Sequence, residues 1–161
     1  MSTMQTNFDM GSVVTKDLIT LDLQATDKLG VIEELTDLLV AHGDVSDRQG
    51  FIDDVIKREG EGFTGLGQGV AIPHGKSQAV ANTTIAIGLS KHPIPWETLD
   101  GEPITVIILF AVRDTDANTL HIKLLQKVAI LLSDDEFIGA LHEIQSKDEL
   151  IALLRKEPEG E

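Results

Sequence analysis

Apolar and polar positions alternate over LITLDL, Leu18 to Leu23, the period of a strand with one buried face. The period then lengthens. Ile32, Leu35, Leu38 and Leu39 form the stripe of a helix running from about Asp27 to His42, and Gly43 supplies its stop. Ser46 to Gln49 matches a capping box, and Phe51, Ile52, Val55 and Ile56 follow at helical spacing. That second helix is expected to end near Arg58, Glu59 and Gly60. Further on, Val70 to Ile72 form a short β-type run, and Ile85, Ile87 and Leu89 alternate as a half-buried strand. The run ITVIILFAV, Ile104 to Val112, is continuously apolar but for Thr105 and is bounded by Pro103 and Arg113, which reads as a central strand covered on both faces. Leu120, Leu124, Val128 and Leu131 then keep helical register, and two more helices open on capping boxes at Ser133–Glu136 and Ser146–Glu149.

The order is roughly β-α-α-β-β-β-α-α-α. Helices on either side of a strand cluster predict an α/β fold in which a mixed β-sheet is sandwiched between helices. Residues 1–12 read as a polar lead, 13–156 as a single domain, and 157–161 as an acidic tail. No repeat or linker interrupts the middle. The chain of 161 residues is 42% hydrophobic, enough for one domain with its own core. No apolar run has the length of a membrane span, and the opening residues lack the basic and apolar regions of a signal peptide. A cytoplasmic location is therefore expected. The absence of cysteine excludes disulfides and thiolate catalysis. Lys and Arg total 13 against 27 Asp and Glu, a net charge of −14, which argues against nucleic acid as a partner and favours partners with a positive patch.

The stretch GLGQGVAIPHG, residues 65 to 75, carries the most chemistry. Pro73 fixes its own φ and pushes Ile72 into extended backbone, so His74 leaves a strand end on a stiff chain. Gly75 is read as leaving the space beside the imidazole open to another molecule. Gly65, Gly67 and Gly69 are read as letting the preceding loop approach that ring. A histidine so placed suits nucleophilic work, with one nitrogen outward and the other held by a hydrogen bond. His121 follows Asp116–Ala117–Asn118–Thr119, which can cap a helix, and it heads the row Leu125, Val128 and Leu132 at the edge of the core. Arg58 closes the second helix just before the glycine-rich loop. Two readings stand for it: a bidentate contact to a phosphoryl oxygen, or a solvated cation at the helix C-terminus. His42 and His92 read as surface or turn residues, and His142 as a mid-helix residue with no partner. A metal held by His74 and His121 lacks a third ligand at helpful spacing, so no metal and no cofactor is expected.

REGEGFTGLGQGVAIPHGKS resembles the active-site segment of the fructose/mannitol class of enzyme IIA in the bacterial phosphoenolpyruvate-dependent sugar phosphotransferase system. WETLDGEPITVIILFAVRD and LHIKLLQKVAILLSDDEF are also similar to that family's pattern, so the resemblance spans Leu18 to about Leu154. It implies that His74 is the phosphorylated nucleophile. The small phosphocarrier protein HPr would load it at Nε2, and an enzyme IIB component would receive the group. It further implies that His121 stabilises the transferring group and that Arg58 lies near the phosphohistidine. Leu66, Val70 and Ile72 would contribute to an apolar docking face, Leu66 alone pointing outward. The membrane is reached only indirectly, through the IIC permease. The resemblance leaves two branches open: sugar uptake, with fructose the expected sugar, or a regulatory nitrogen-type enzyme IIA whose phosphorylation state controls partner proteins.

Overall fold

The computed structural model describes residues 15–62, 64–114 and 120–154; the side chains of residues 120–122, 124 and 125 lie outside that description. Among the described residues, five strands form one mixed sheet. They are β1 (Ile19–Thr20), β2 (Val70–Ala71), β3 (His74–Ser77), β4 (Thr84–Ile94) and β5 (Ile104–Arg113). Five α-helices accompany them among the described residues: α1 (Lys28–His42), α2 (Arg48–Glu61), α3 (Leu120–Leu132), α4 (Asp135–His142) and α5 (Lys147–Leu154). The α/β class and the sandwich follow the sequence expectation, with one more strand in the middle than the pattern predicted.

The long hairpin partners β4 and β5 run antiparallel, with Ile87 opposite Ile108. β1 lies parallel to β4 at the far edge. β2 and β3 both lie parallel to β5 on its other edge, Val70 opposite Val106 and His74 opposite Phe110. The numerical offset is 36 residues in both segments, so β2 and β3 are one strand line interrupted at Ile72–Pro73. Proline has no N–H to give a ladder, which accounts for the interruption.

Strand alternation divides the core in two. Val106, Ile108, Phe110 and Val112 of β5 pack with Val128, Leu131, Phe137, Ile138, Leu141, Leu150 and Leu154 of α3, α4 and α5. Ile107, Leu109 and Ala111 face the other way, onto Val31, Ile32, Leu35, Leu39, Phe51, Ile52 and Val55 of α1 and α2. The continuous apolar run of β5 is thus explained by helices on both faces.

Several local expectations shift. LITLDL is mostly not a strand: Lys16–Leu18 form a 3₁₀ turn, and only Ile19–Thr20 pair with β4. α1 begins on Asp27, whose carboxylate accepts from Gly30 N at 2.8 Å, and ends on Gly43 at φ 90° as expected. The α2 cap is Asp47, which accepts from Gly50 N at 3.1 Å; Ser46 Oγ donates instead to Ala79 O. Likewise Asp134 caps α4, while Ser133 Oγ turns back to Ile130 O. In both places a carboxylate one residue downstream took the position, as suits a helix N-terminus. Ser146 does accept from Glu149 N at 3.1 Å. No helix among the described residues is long and apolar enough to cross a membrane.

Candidate active site

His74 opens β3; it does not hang from the end of a strand. Its register partner is Phe110, and the two rings stack with centroids 4.8 Å apart and planes 9° from parallel. Phe110 is fully buried, so the imidazole lies on a rigid aromatic floor. The residue is half-buried and its Nδ1 is shielded from solvent, which leaves Nε2 as the ring nitrogen able to face outward. Pro73 O accepts from Phe110 N at 2.9 Å and ties the preceding peptide to the same strand.

Gly75 does not open space beside the ring. Its side-chain direction is the opposite face of the sheet, where an added Cβ would lie 2.5 Å from Phe51 Cε1 and 2.6 Å from Val55 Cγ2. Glycine is required there so that α2 can approach β3. The expectation of an open docking gap at Gly75 is corrected accordingly: residues 74 and 75 face opposite layers because strand side chains alternate.

The loop glycines also serve other contacts than the ring. Gly65 lies against Glu97 O and Thr98, Gly67 against Asp100, and Gly69 against His142 and Thr105. Asp100 binds the loop through Gln68 N and its own strand entry through Glu102 N, both at 3.0 Å. Those backbone donors hold its carboxyl below the ordinary aspartate value. Leu66 and Ile72 are both half-buried, Ile72 packing against the core on the α3–α5 side, and Val70 is buried. Leu66 and Val70 line a groove of about 360 Å³ with Leu99, Leu132 and Ile138.

Arg58 lies in the last turn of α2, three residues past Val55 and so on nearly the face that meets β3. One guanidinium N–H donates to Gly62 O at 2.8 Å, a contact that satisfies a helix-end carbonyl. Its neighbour Glu59 is only 4% exposed at the side chain and pairs with Lys28 Nζ at 2.8 Å. Thr64 Oγ1 donates to the other Glu59 oxygen, which fixes the entry to the glycine-rich loop. Lys28 also reaches Glu97 at 2.9 Å and lies 5.3 Å from the Trp96 ring centroid. Burial works against the Lys28 ammonium, but hydrogen bonds and charge from Glu59 and Glu97 outweigh it and hold its pKa above the usual lysine value. Removing Lys28 strands a buried carboxylate. Lys28→Met is expected to lower stability by about 2 kcal/mol, less than a fully buried pair because Lys28 is partly wet, and urea unfolding measures it.

His121 is the second residue of α3; its side chain, and the capping segment 116–119, lie outside the described residues. The helical row it heads does reach the core, since Val128 is buried. The other histidines are engaged elsewhere. His42 Nδ1 meets Asp44 Oδ2 at 2.8 Å, and His92 Nε2 meets Ala25 O at 3.0 Å. His142 is the last residue of α4, not a mid-helix residue, and it has partners: Nε2 meets Gln68 O at 2.7 Å and Nδ1 meets Thr105 Oγ1 at 3.3 Å. No spacing in the sequence joins residue 142 to residue 68; only the packing of α4 over the sheet does.

Comparison with known proteins agrees with this fold. Residues 12–157 match the family model described as phosphoenolpyruvate-dependent sugar phosphotransferase system, EIIA 2. The chain is 34% identical over 144 residues to the fructose-specific EIIABC component of Bacillus subtilis (strain 168), covering 89% of this chain and 22% of that one. It is 32% identical over 139 residues to the fructose-specific EIIA component of Haloferax volcanii, covering 86% and 90%. The crystal structure of nitrogen regulatory protein IIA-Ntr from Neisseria meningitidis superposes with a TM-score of 0.82 at 30% identity, over 90% of this chain and 98% of that one. The chain spans about a fifth of the Bacillus relative's length, and nearly all of the Haloferax and Neisseria proteins. With a histidine seated on a buried aromatic ring in a mixed α/β sandwich, and a family match over almost its whole length, the chain belongs to the EIIA 2 family of the phosphoenolpyruvate-dependent sugar phosphotransferase system, a phosphotransferase component.

Proposed function

We propose that this domain accepts a phosphoryl group from phospho-HPr on Nε2 of His74 and passes it to an enzyme IIB component for sugar uptake, with fructose the expected sugar. The observation that carries the reading is the seating of His74, stacked on Phe110 with Nδ1 turned inward. In the tautomer with the proton on Nδ1, Nε2 carries the lone pair. That lone pair attacks phosphorus in line as the donor's N–P bond breaks. In the onward transfer the acceptor's nucleophile attacks phosphorus as the Nε2–P bond breaks, and Nε2 regains its lone pair. Phosphoryl transfer needs placement and charge stabilisation more than covalent machinery. His121 at the start of α3 would stabilise the transferring group, and Arg58 at the end of α2 would supply a guanidinium beside it.

The names of the Bacillus and Haloferax relatives favour sugar transport. The likeness to a nitrogen regulatory IIA supports a second reading, in which the phosphorylation state of His74 controls partner proteins. One experiment separates them. The protein is loaded from phosphoenolpyruvate through enzyme I and HPr, then mixed with IIB components and radiolabelled fructose in membranes carrying the permease. Label chased from this protein to IIB, with fructose phosphate formed, is the expected result. A loaded protein that keeps its label against every IIB identifies the regulatory branch.

A further inference from the structure

We propose that His142 is a positioning residue for His74, acting through the turn at residues 66–70; the proposal rests on His74 being the phosphoryl acceptor. Gln68 has φ 58°, the one non-glycine residue in the left-handed region among the described residues, and Gly69 follows at φ 81°. A left-handed glutamine is strained, so its surroundings must hold it. They do so at both ends of the residue. Asp100 takes its N–H at 3.0 Å, and His142 Nε2 donates to its carbonyl at 2.7 Å. Thr105 Oγ1, 3.3 Å from Nδ1, orients the imidazole. The fit is close: a Cβ on Gly69 would lie 2.9 Å from His142 Cε1.

The turn leads without slack to His74. Gly69 O accepts from both Thr105 N and Val106 N at 2.9 Å, which starts the register on β5. That register runs on unchanged through Val70 opposite Val106, Ala71 opposite Ile107, and His74 opposite Phe110. Between the turn and the imidazole there is no bulge to absorb a shift, and Pro73, whose carbonyl accepts from Phe110 N, stiffens the link between β2 and β3. His142 therefore fixes, from α4, the upstream end of the strand line that places the ring on Phe110. Its role is to keep His74 in an attacking geometry that a displacement of about 1 Å would degrade by up to a hundredfold.

The test uses the full chain with phospho-HPr as donor, comparing wild type, His142→Ala and His142→Gln. His142→Ala is expected to lower the maximal rate of phosphoryl transfer about tenfold, with the donor concentration for half that rate unchanged. His142→Gln, whose amide N–H can reach Gln68 O, is expected to restore most of the rate. Independently of any phosphorylation, the His74 ring-proton resonances, shifted upfield by Phe110, are expected to move toward random-coil positions in His142→Ala and to return in His142→Gln. Unmoved His74 resonances in folded His142→Ala overturn the proposal. So does a wild-type rate in that variant. If His142→Ala does not fold, His142→Gln decides by the same resonances and rate, read beside His142→Thr, whose side chain is too short to reach Gln68 O. A glutamine variant near wild type supports the proposal, and one as impaired as the threonine variant overturns it. Should wild type itself take no label while the resonances respond as expected, the acceptor assignment fails and the mechanical link between residues 142 and 74 stands.

Discussion

His74→Ala is expected to take up no acid-labile phosphoryl label from phosphoenolpyruvate, enzyme I and HPr, where the wild-type chain is expected to take up one group. The loss is expected to be complete because the described alternatives are occupied. His92 and His142 each direct Nε2 at a backbone carbonyl, and His42 is paired with a nearly buried Asp44 at the C-terminus of α1, where the helix dipole disfavours an added anion. The alanine variant should fold, since the half-exposed imidazole is removed from above Phe110 without opening a closed cavity. Intact mass measured at neutral pH, before and after acid, reads the outcome directly. His121→Ala serves as the contrast: it retains the nucleophile, so slower labelling to the same final level is expected. Normal labelling of His74→Ala would remove the site assignment altogether.

Gly75→Val is expected to cost about 3 kcal/mol of stability, the upper end for overpacking a rigid core. The first carbon of the new side chain would already sit 2.5 Å from Phe51 and 2.6 Å from Val55, both fully buried. Neither neighbour has room to turn away, because α2 is held at one end by the Asp47 cap and at the other by the Glu59 contacts to Lys28 and Thr64. The measurement is a urea unfolding curve beside wild type. The result separates two roles for the glycine. If it were an open approach for a protein partner, the variant would remain as stable as wild type and lose only affinity for HPr.

What could be read from the chain in advance follows from how local each signal is. α1 was legible at both ends because a side-chain cap and a left-handed glycine are properties of a few consecutive residues. β5 was legible because burial on both faces leaves Thr105 as the sole polar position between Ile104 and Val112. His74 stood out because Pro73 and the glycines around it restrict the backbone locally. β3 was not legible: HGKS has no apolar period, and it is a strand only because β5 offers it a partner edge. The place of Gly75 was misread for the same reason, since which sheet face a residue takes depends on a register that local sequence does not contain. His142 gave no signal at all, as its partners are 37 and 74 residues away in the chain.

The two-compartment interior has a consequence for neighbours along the strand line. His74 answers to the layer built by α3, α4 and α5, and Gly75 to the layer built by α1 and α2. Mutational tolerance should therefore change abruptly between adjacent codons, governed by turnover at the first and by folding yield at the second. A library spanning residues 70–77 would show an odd–even signature in which fitness defects at alternate positions are rescued by different means: those facing α1 and α2 by lower temperature, those at His74 by nothing.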